Sequence, residues 1–354
     1  MTRGSKRLIA LLLMLVACLS FFPAALADTG IVASGRCGDH LTWTLDEEGT
    51  LTIAGSGPMW AQIECPEQIY PWKKLRGEIR TVNLEDGVTS IGSRAFYGCS
   101  VLNTARIPSS VSSVRAEAFQ YCYSLESVSI LNSRCEIFQG TETLGFPGTV
   151  KIYGLKGSTA QAYAENCGYR FELFNPFVDV TEDKYYFEAA VWAYCHIPKI
   201  SAGADDTHFD PNSICTREQA VTFLWKACGA PEPASAVNPF TDVEEGKYYC
   251  RAVLWAYENE IAGGSEEGRF GVGQACTREQ AVTFLWKACG APEPVSAVNP
   301  FTDVKTDKYY GKAVLWAYEN EIAGGVSESK YGVGQDCTRG QLVAFMFKCA
   351  DILG

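Results

Sequence analysis

The sequence predicts a multidomain α+β chain: a short β-rich repeat solenoid with an N-terminal β-hairpin, followed by an all-α bundle. Three observations predict this. The stretch CTREQAVTFLWKACGAPEP at Cys215–Pro233 recurs unchanged at Cys276–Pro294, and a looser copy begins at Cys337, which gives a 61-residue repeat. A 23-residue repeat occupies residues 79–130, and residues 41–53 alternate between apolar and polar. Fixed periods indicate supersecondary units that bury their apolar sides on each other.

The first 27 residues have the pattern of a signal peptide. Three basic residues precede the apolar run 8–22, and Ala25-Leu26-Ala27 is a small-residue cleavage site. We therefore expect a secreted protein. A lipoprotein cleavage site, with Cys18 lipidated, is the alternative. After signal removal no segment is long and apolar enough to span a membrane.

The overall charge is acidic, with 41 Asp and Glu against 30 Lys and Arg and a formal net charge of −11. A polyanion such as nucleic acid, or an anionic lipid surface, attracts basic proteins, so neither is expected as a general partner. A local basic pocket remains compatible with this balance.

The N-terminal half begins with a predicted β-hairpin, residues 41–45 and 50–53 around a turn that ends in Gly49. The 23-residue repeat follows: Ala95–Cys99, AFYGC, returns as Ala118–Cys122, AFQYC. This period lies in the range of leucine-rich repeats, in which equivalent apolar positions stack into one core.

The segment VTSIGSRAFYGCSVLNTARIPSSVSSVRAEAFQYCYSLESVSI resembles the BspA-like leucine-rich repeats of bacterial surface proteins, and residues 152–171 resemble the closing unit of such arrays. The resemblance covers most of residues 30–174, although residues 132–148 depart from the period as a degenerate coil or an insertion. It implies binding to proteins or surfaces. Tyr97, Tyr121 and Tyr123 are either an exposed aromatic patch or half-buried packing residues.

A helix start is readable in each 61-residue copy. Thr216 and Gln219 fit a capping box, in which each side chain bonds the other residue's free amide, and an apolar run of helical spacing follows. Arg217 occupies the first helical position, where the helix dipole disfavours a cation. Two explanations remain open: an anion site made by the guanidinium and the free amides, or an exposed, tolerated arginine.

The C-terminal half resembles the S-layer homology (SLH) domain in three copies. Each copy has an opening Phe-x-Asp-Val, a helix with Trp-Ala-Tyr, a loop glycine and a Thr-Arg helix start. The resemblance implies a pseudo-threefold bundle whose grooves bind secondary cell-wall polysaccharide, often pyruvylated. Carried over, it implies these polymer-binding residues: Arg217, Arg278, Arg339, Gly203, Gly264, Gly325, Asp179, Asp242 and Asp303. The aspartates either bond sugar hydroxyls or cap the first helix.

The expected domain boundaries are 1–27 for the signal peptide, 28–174 for the leucine-rich repeats, and 175–233, 238–294 and 299–354 for the SLH copies. The first copy carries two extra residues around His196-Ile197-Pro198. Copies two and three have Gly271 and Gly332 where the first has an Asp210-Pro211 turn. An altered first groove is therefore expected.

Fourteen of the fifteen cysteines follow the signal peptide. Cys215 and Cys228 flank one predicted helix and stand about 18 Å apart at 1.5 Å per residue, too far for a disulfide. We interpret the cysteines as buried thiols, with bridges only between different elements as the alternative.

No catalytic or metal site is predicted, and no cofactor. The three histidines lack zinc-type spacing, there is no Cys-x-x-Cys, and neither a nucleophile elbow nor a phosphate loop is found. We expect a surface protein held non-covalently at the cell wall, whose partners are wall polysaccharide and, through residues 28–174, a host or neighbouring-cell protein. The alternatives are a structural envelope component and a wall-remodelling enzyme.

Overall fold

The computed structural model describes residues 30–60, 70–138, 144–235, 237–296 and 298–353. The expected signal peptide and Cys18 lie outside these residues. None of the helices in the described ranges is long and apolar enough to cross a membrane.

The described residues between 31 and 173 form a β-solenoid built on two sheets. An eight-stranded sheet has the order β1-β2-β3-β5-β7-β9-β11-β12, and a four-stranded sheet has the order β10-β8-β6-β4. The strands are β1 Ile31–Arg36, β2 Leu41–Asp46, β3 Thr50–Gly55, β4 Gly57–Pro58, β5 Thr81–Leu84, β6 Val88–Ile91, β7 Thr104–Ile107, β8 Ser113–Val114, β9 Ser127–Ile130, β10 Glu136–Ile137, β11 Lys151–Gly154 and β12 Arg170–Leu173.

The predicted hairpin is β2–β3, and it is extended by β1, an antiparallel strand that the sequence pattern did not suggest. From β3 onward the strands of the large sheet run parallel, and the 23-residue period places Thr81 opposite Thr104 and Thr104 opposite Ser127. Residues 132–148 are a degenerate coil in their described part: they contribute the short strand β10 and delay β11 by one residue relative to the period.

The solenoid core consists of stacked equivalent side chains. Phe96 and Phe119 lie one coil apart with ring centroids 5.2 Å from each other, and Phe119 and Phe146 continue the stack at 5.3 Å. Helix α1, Thr159–Cys167, closes the last coil; its N-cap Ser158 accepts a hydrogen bond from the Gln161 amide, and Gly168 ends it in a left-handed conformation.

The remaining chain is helical, and its helices pair between repeats rather than within them. The helices are α2 Phe187–Cys195, α3 Arg217–Ala227, α4 Cys250–Glu258, α5 Arg278–Ala288, α6 Gly311–Glu319, α7 Arg339–Lys348 and α8 Ala350–Leu353. The second helix of each repeat packs most closely on the first helix of the next: α3 on α4, α5 on α6 and, closing the ring, α7 on α2. This cyclic arrangement is the expected pseudo-threefold bundle.

Three cysteines close the ring along its axis. The Cys215 amide donates to the Cys337 carbonyl, the Cys276 amide to the Cys215 carbonyl, and the Cys337 amide to the Cys276 carbonyl, at 2.8–2.9 Å. Their side chains are fully buried, and burial raises the pKa of the Cys337 thiol to about 12. In agreement with the expectation of buried thiols, ten of the thirteen cysteines in the described ranges are free and buried.

The solenoid and the bundle meet at the first repeat. Arg106 donates from Nη2 to the Tyr194 hydroxyl at 3.1 Å, Ser109 Oγ donates to the Cys195 carbonyl, and Lys156 pairs with Glu188 at 2.6 Å. The two extra residues of the first copy lie directly after Cys195. The departure of this copy from the other two therefore coincides with its contact to the solenoid.

Candidate functional site

The Thr-Arg helix starts are capped as predicted. In all three copies the glutamine side chain accepts from the N-cap amide: Gln219 Oε1 from the Thr216 amide at 3.1 Å, and likewise in α5 and α7. The second bond of the capping box is formed in α7, where Thr338 Oγ1 accepts from the Gln341 amide at 3.2 Å. In α3 and α5 the hydroxyls of Thr216 and Thr277 face the equivalent glutamine amides without a hydrogen bond.

The three arginines are buried, so the interpretation of exposed, tolerated side chains is wrong. Arg217, Arg278 and Arg339 are only 4–8% exposed. Each guanidinium lies over two aromatic rings; that of Arg217 is 5.0 Å from the Phe270 centroid and 5.5 Å from that of Phe284. A cation in this position gains from the ring quadrupole, and the more so because water is largely excluded.

Each arginine also joins its own repeat to the following one. Arg217 donates from Nε to the Phe270 carbonyl at 3.1 Å and from Nη2 to the Gly263 carbonyl at 2.9 Å. Arg278 makes the same pair of bonds to the carbonyls of Tyr331 and Gly324. These are strong hydrogen bonds because the donor is charged.

The third arginine closes the circle back to the first repeat with one changed partner. Arg339 donates from Nε to the Phe209 carbonyl at 3.0 Å and from Nη2 to the Ser201 hydroxyl at 3.2 Å. The residue after it is Gly340, because a Cβ there would lie 3.0 Å from both the Pro211 carbonyl oxygen and Tyr186 Cδ1.

None of these guanidiniums has a counter-ion. Among the residues that the structure describes, no carboxylate oxygen forms an ion pair with Arg217, Arg278 or Arg339. Burial lowers the pKa of Arg217 and of Arg339, and the nearby carboxylates of Asp242 and of Asp210 act in the opposite direction without reversing this effect. Each bonded guanidinium uses Nε and Nη2, so the Nη1 hydrogens remain for a further acceptor.

The aspartates of Phe-x-Asp-Val do not cap the first helix; that alternative is wrong. The first helices have the tyrosines Tyr186, Tyr249 and Tyr310 at their N-cap positions, without a side-chain cap. Asp242 instead accepts from the amides of Phe270, Gly271 and Val272 at 2.7–3.0 Å, in the loop whose carbonyl receives Arg217. Asp303 binds residues 331–333 in the same way, and Asp179 binds the amides of Phe209 and Asp210.

The loop glycines have a packing reason that the sequence did not reveal. A Cβ at Gly264 would lie 2.6 Å from the Arg269 carbonyl oxygen, and Gly203 and Gly325 have equally close backbone neighbours. The residues immediately before Gly264 and Gly325 behave differently. Gly263 and Gly324 have open space where a Cβ would be, and they supply the carbonyls that receive the arginines.

Three exposed tyrosines, for which the sequence predicted no role, complete the arrangement. Partial burial and Glu279 raise the pKa of Tyr309, and the Arg217 guanidinium acts in the opposite direction. Arg278 likewise opposes the effect of burial on the pKa of Tyr185, and Tyr248 acts on the pKa of Arg339. The repeated Lys-Tyr-Tyr was the available signal. Each groove therefore combines an arginine from one repeat, a loop from the next and a tyrosine from the third.

Comparison with known proteins agrees with both halves of this architecture. Residues 74–141 match the family described as BspA type leucine rich repeat region, in six copies, and residues 239–282 and 300–343 match the S-layer homology domain. Residues 74–141 thus carry BspA-type leucine-rich repeats, and residues 239–282 and 300–343 carry S-layer homology domains. The family matches cover the second and third helical repeats, and the first shares their helix pair and arginine bridge.

Two curated relatives match parts of the chain. A cell surface protein of Thermoanaerobacter kivui is 30% identical over 118 residues, which is 32% of this chain and 16% of that protein. An endoglucanase of Bacillus sp. (strain KSM-635) is 27% identical over 173 residues, 47% of this chain and 18% of that protein. The chain thus spans less than a fifth of the length of either relative.

Among solved structures, a leucine-rich repeat protein from Eubacterium ventriosum is 20% identical, with a TM-score of 0.24 and coverage of 41% of each chain. A leucine rich cell surface protein from Faecalibacterium prausnitzii is 19% identical, with a TM-score of 0.15, covering 34% of this chain and 45% of the other. The SLH domains and the relative named as a cell surface protein point to the cell surface.

Proposed function

We propose that this is a secreted protein held non-covalently at the bacterial cell wall, with its helical half bound to an anionic, pyruvylated wall polysaccharide. In this proposal the solenoid displays a binding face to the surroundings. The domain boundaries are those expected from the sequence, 28–174 for the displayed half and 175–354 for the wall-binding half.

The observation that carries the proposal is that three buried arginines form no ion pair with any residue in the described ranges. A buried cation is costly unless it is paired. Here its hydrogen bonds go to neutral carbonyls and a hydroxyl, and the nearby carboxylates act on it without direct contact. A carboxylate of a sugar ketal supplies the missing charge, and the unused Nη1 hydrogens supply donors for it. Three grooves engaging one polymer add avidity without further contacts.

The surrounding residues support the same assignment. The exposed rings of Tyr185, Tyr248 and Tyr309 offer apolar faces with a polar tip beside each arginine, a combination suited to a sugar. The open space at Gly263 and Gly324 lets a polymer approach the backbone. Asp179, Asp242 and Asp303, with Gly203, Gly264 and Gly325, act by holding the loop that forms the groove wall.

Catalysis is not part of the proposal. The match to the endoglucanase covers 18% of that protein, a share that fits a common attachment region better than a catalytic one. Release of reducing sugar from purified wall by the full chain would contradict this statement.

The test separates charge from shape. We compare a triple Arg→Lys variant with a triple Arg→Gln variant at positions 217, 278 and 339. Both substitutions remove some of the hydrogen bonds to the next repeat, but only lysine keeps the positive charge. The proposal expects the lysine variant to sediment with purified wall sacculi, more weakly at high salt, and the glutamine variant to remain in solution. Equal sedimentation of both folded variants would refute it.

A second experiment changes the wall polymer instead of the protein. Wall from which the pyruvate ketals have been removed is compared with untreated wall, using the unaltered chain. Loss of sedimentation on the treated wall supports the pyruvylated ligand. Unchanged sedimentation would leave wall attachment in place but assign it to another group of the polymer.

A further inference from the structure

Three tyrosines form a continuous aromatic surface on the solenoid, which we call the tyrosine face: Tyr97, Tyr121 and Tyr123. The ring centroids of Tyr97 and Tyr121 are 5.0 Å apart at 85°, and those of Tyr121 and Tyr123 are 5.9 Å apart at 42°. Tyr121 is 45% exposed and Tyr123 is 72% exposed. Since these two rings are far from buried, core packing does not account for them.

Tyr121 occupies a left-handed backbone position at which the neighbouring coils have glycine. Its φ is +64°, whereas the equivalent positions one coil before and after are glycines, Gly98 at +71° and Gly145 at +74°. A left-handed conformation is unusual for a bulky side chain and costs about 1–2 kcal/mol. The coil needs a glycine here, so the tyrosine must be explained by something other than stability.

A cationic cleft adjoins the tyrosine face. It has a volume of about 260 Å³ and is lined by Tyr70, Trp72, Lys73, Arg76, Arg94, Ala95, Tyr97 and Cys99. Three of these residues are basic and none is acidic. Arg94 is held by an ion pair with Glu117, while Lys73 and Arg76 are exposed and form no ion pair with any residue in the described ranges.

The charge of this region is opposite to that of the whole chain. Residues 70–123 contain seven Lys and Arg against four Asp and Glu, although the chain has a net charge of −11. A basic surface attracts acidic partners and disfavours a symmetric contact between two such surfaces of two copies of the chain.

We propose that the tyrosine face and the cationic cleft together bind an acidic segment of a partner protein. Its carboxylates pair with Lys73 and Arg76, and its aromatic or aliphatic side chains pack on Tyr121 and Tyr123. The inference rests on the proposed function only in placing the solenoid at the cell surface, where such a partner is accessible.

Two features favour a protein over a glycan as the occupant. Tyrosine and arginine are the side chains most enriched at the energetic centres of protein interfaces. The rings of the tyrosine face are tilted against one another by 85° and 42°, so they make a corrugated surface that receives side chains, not a flat platform for sugar rings. The cations are exposed here, unlike the buried arginines of the helical grooves.

The probe is a random copolymer of glutamate and tyrosine, and its binding to the full chain is measured by biolayer interferometry. Polyglutamate tests charge alone, a lysine–tyrosine copolymer reverses the charge, and polygalacturonate represents an acidic glycan. We expect the glutamate–tyrosine copolymer to bind at least tenfold more tightly than each of these. Tighter binding of polygalacturonate would overturn the protein assignment.

Two variants test the residues. Arg76→Glu and Tyr121→Gly are each expected to weaken copolymer binding at least tenfold. Tyr121→Gly should at the same time keep or raise the unfolding temperature, because glycine relieves the left-handed strain. The matched controls are Arg251→Glu, another exposed cation, and Tyr318→Ala, a tyrosine that is also 45% exposed; both should bind the copolymer normally.

Copolymer binding that survives both Arg76→Glu and Tyr121→Gly would overturn the proposal, as would a fall in unfolding temperature for Tyr121→Gly of the size seen for a core substitution. Sedimentation with wall sacculi is measured on the same variants and should not change. The two proposals can fail separately. If the unaltered chain binds the copolymer but does not sediment with wall, and the Arg76→Glu variant no longer binds the copolymer, wall attachment is refuted while the docking surface stands.

Discussion

Replacing Arg217 by alanine should destabilise the helical bundle by about 2–4 kcal/mol. The guanidinium donates two hydrogen bonds to carbonyls of the next repeat, and bonds from a charged donor contribute about 1.5–3 kcal/mol each. Alanine also relieves the cost of burying the cation, the same burial that lowers the pKa of Arg217, and this offsets part of the sum.

The assay is urea denaturation of the full chain followed by far-UV circular dichroism, because most of the helical residues in the described structure belong to the bundle. The control is Arg251→Ala, which removes an exposed ion pair with Glu232 and should cost less than about 1 kcal/mol. Arg339→Ala should cost less than Arg217→Ala, since the Ser201 hydroxyl it leaves still accepts from the Gly203 amide at 3.2 Å.

A loss below about 1 kcal/mol for Arg217→Ala, or one equal to that of Arg251→Ala, would refute the view that these arginines hold the repeats together. The bridges also decide the design of the wall experiment. Alanine at all three arginines should remove structure together with the cation, which is why lysine and glutamine are the informative substitutions there.

Two further predictions concern the loops. Gly264→Ala should cost about 2 kcal/mol or more, because its Cβ would lie 2.6 Å from the Arg269 carbonyl oxygen, whereas Gly263→Ala next to it should stay within about 0.5 kcal/mol; unfolding temperatures compare the pair, and equal losses would contradict the packing argument. Burial raises the pKa of Asp242 and of Asp303, but the loop amides outweigh it and leave both below the ordinary value. Their contribution to stability is thus complete above the unfolded pKa of about 3.9 and lost as pH falls through the lower folded pKa, and Asp242→Asn should remove part of this acid dependence in a pH series of denaturation midpoints.

Local signals predicted the local structure. The helix starts at Arg217, Arg278 and Arg339 follow from the threonine and glutamine that cap them, and the coils follow from the 23-residue spacing, because both depend on residues close in sequence. The pairing of the second helix of one repeat with the first helix of the next could not be predicted. Apolar spacing identifies the buried face of a helix but not the helix that covers it.

The residues predicted for the site have contacts in the structure that the sequence did not indicate. Asp242 was singled out by its motif, yet its partners are amides 28–30 residues later, a distance at which a cap was the simpler interpretation. The 23-residue period aligns Tyr121 with Gly98, but that this position has a left-handed backbone is visible only in the structure. Gly263 matters through its carbonyl, which no sequence pattern distinguishes.

The two halves of the chain present cations in opposite ways, and this difference determines what each can recognise. In the bundle the arginines are buried and shared between repeats, so the proposed wall ligand would gain free energy by pairing with a cation that forms no ion pair among the described residues. On the solenoid Lys73 and Arg76 are exposed, so in the proposed docking surface they would attract and orient a partner while the tyrosines supply the buried area. Because folding already holds the bundle arginines in place, the proposed ligand would stabilise the assembled ring of repeats, and wall attachment and integrity of the bundle would be one linked equilibrium.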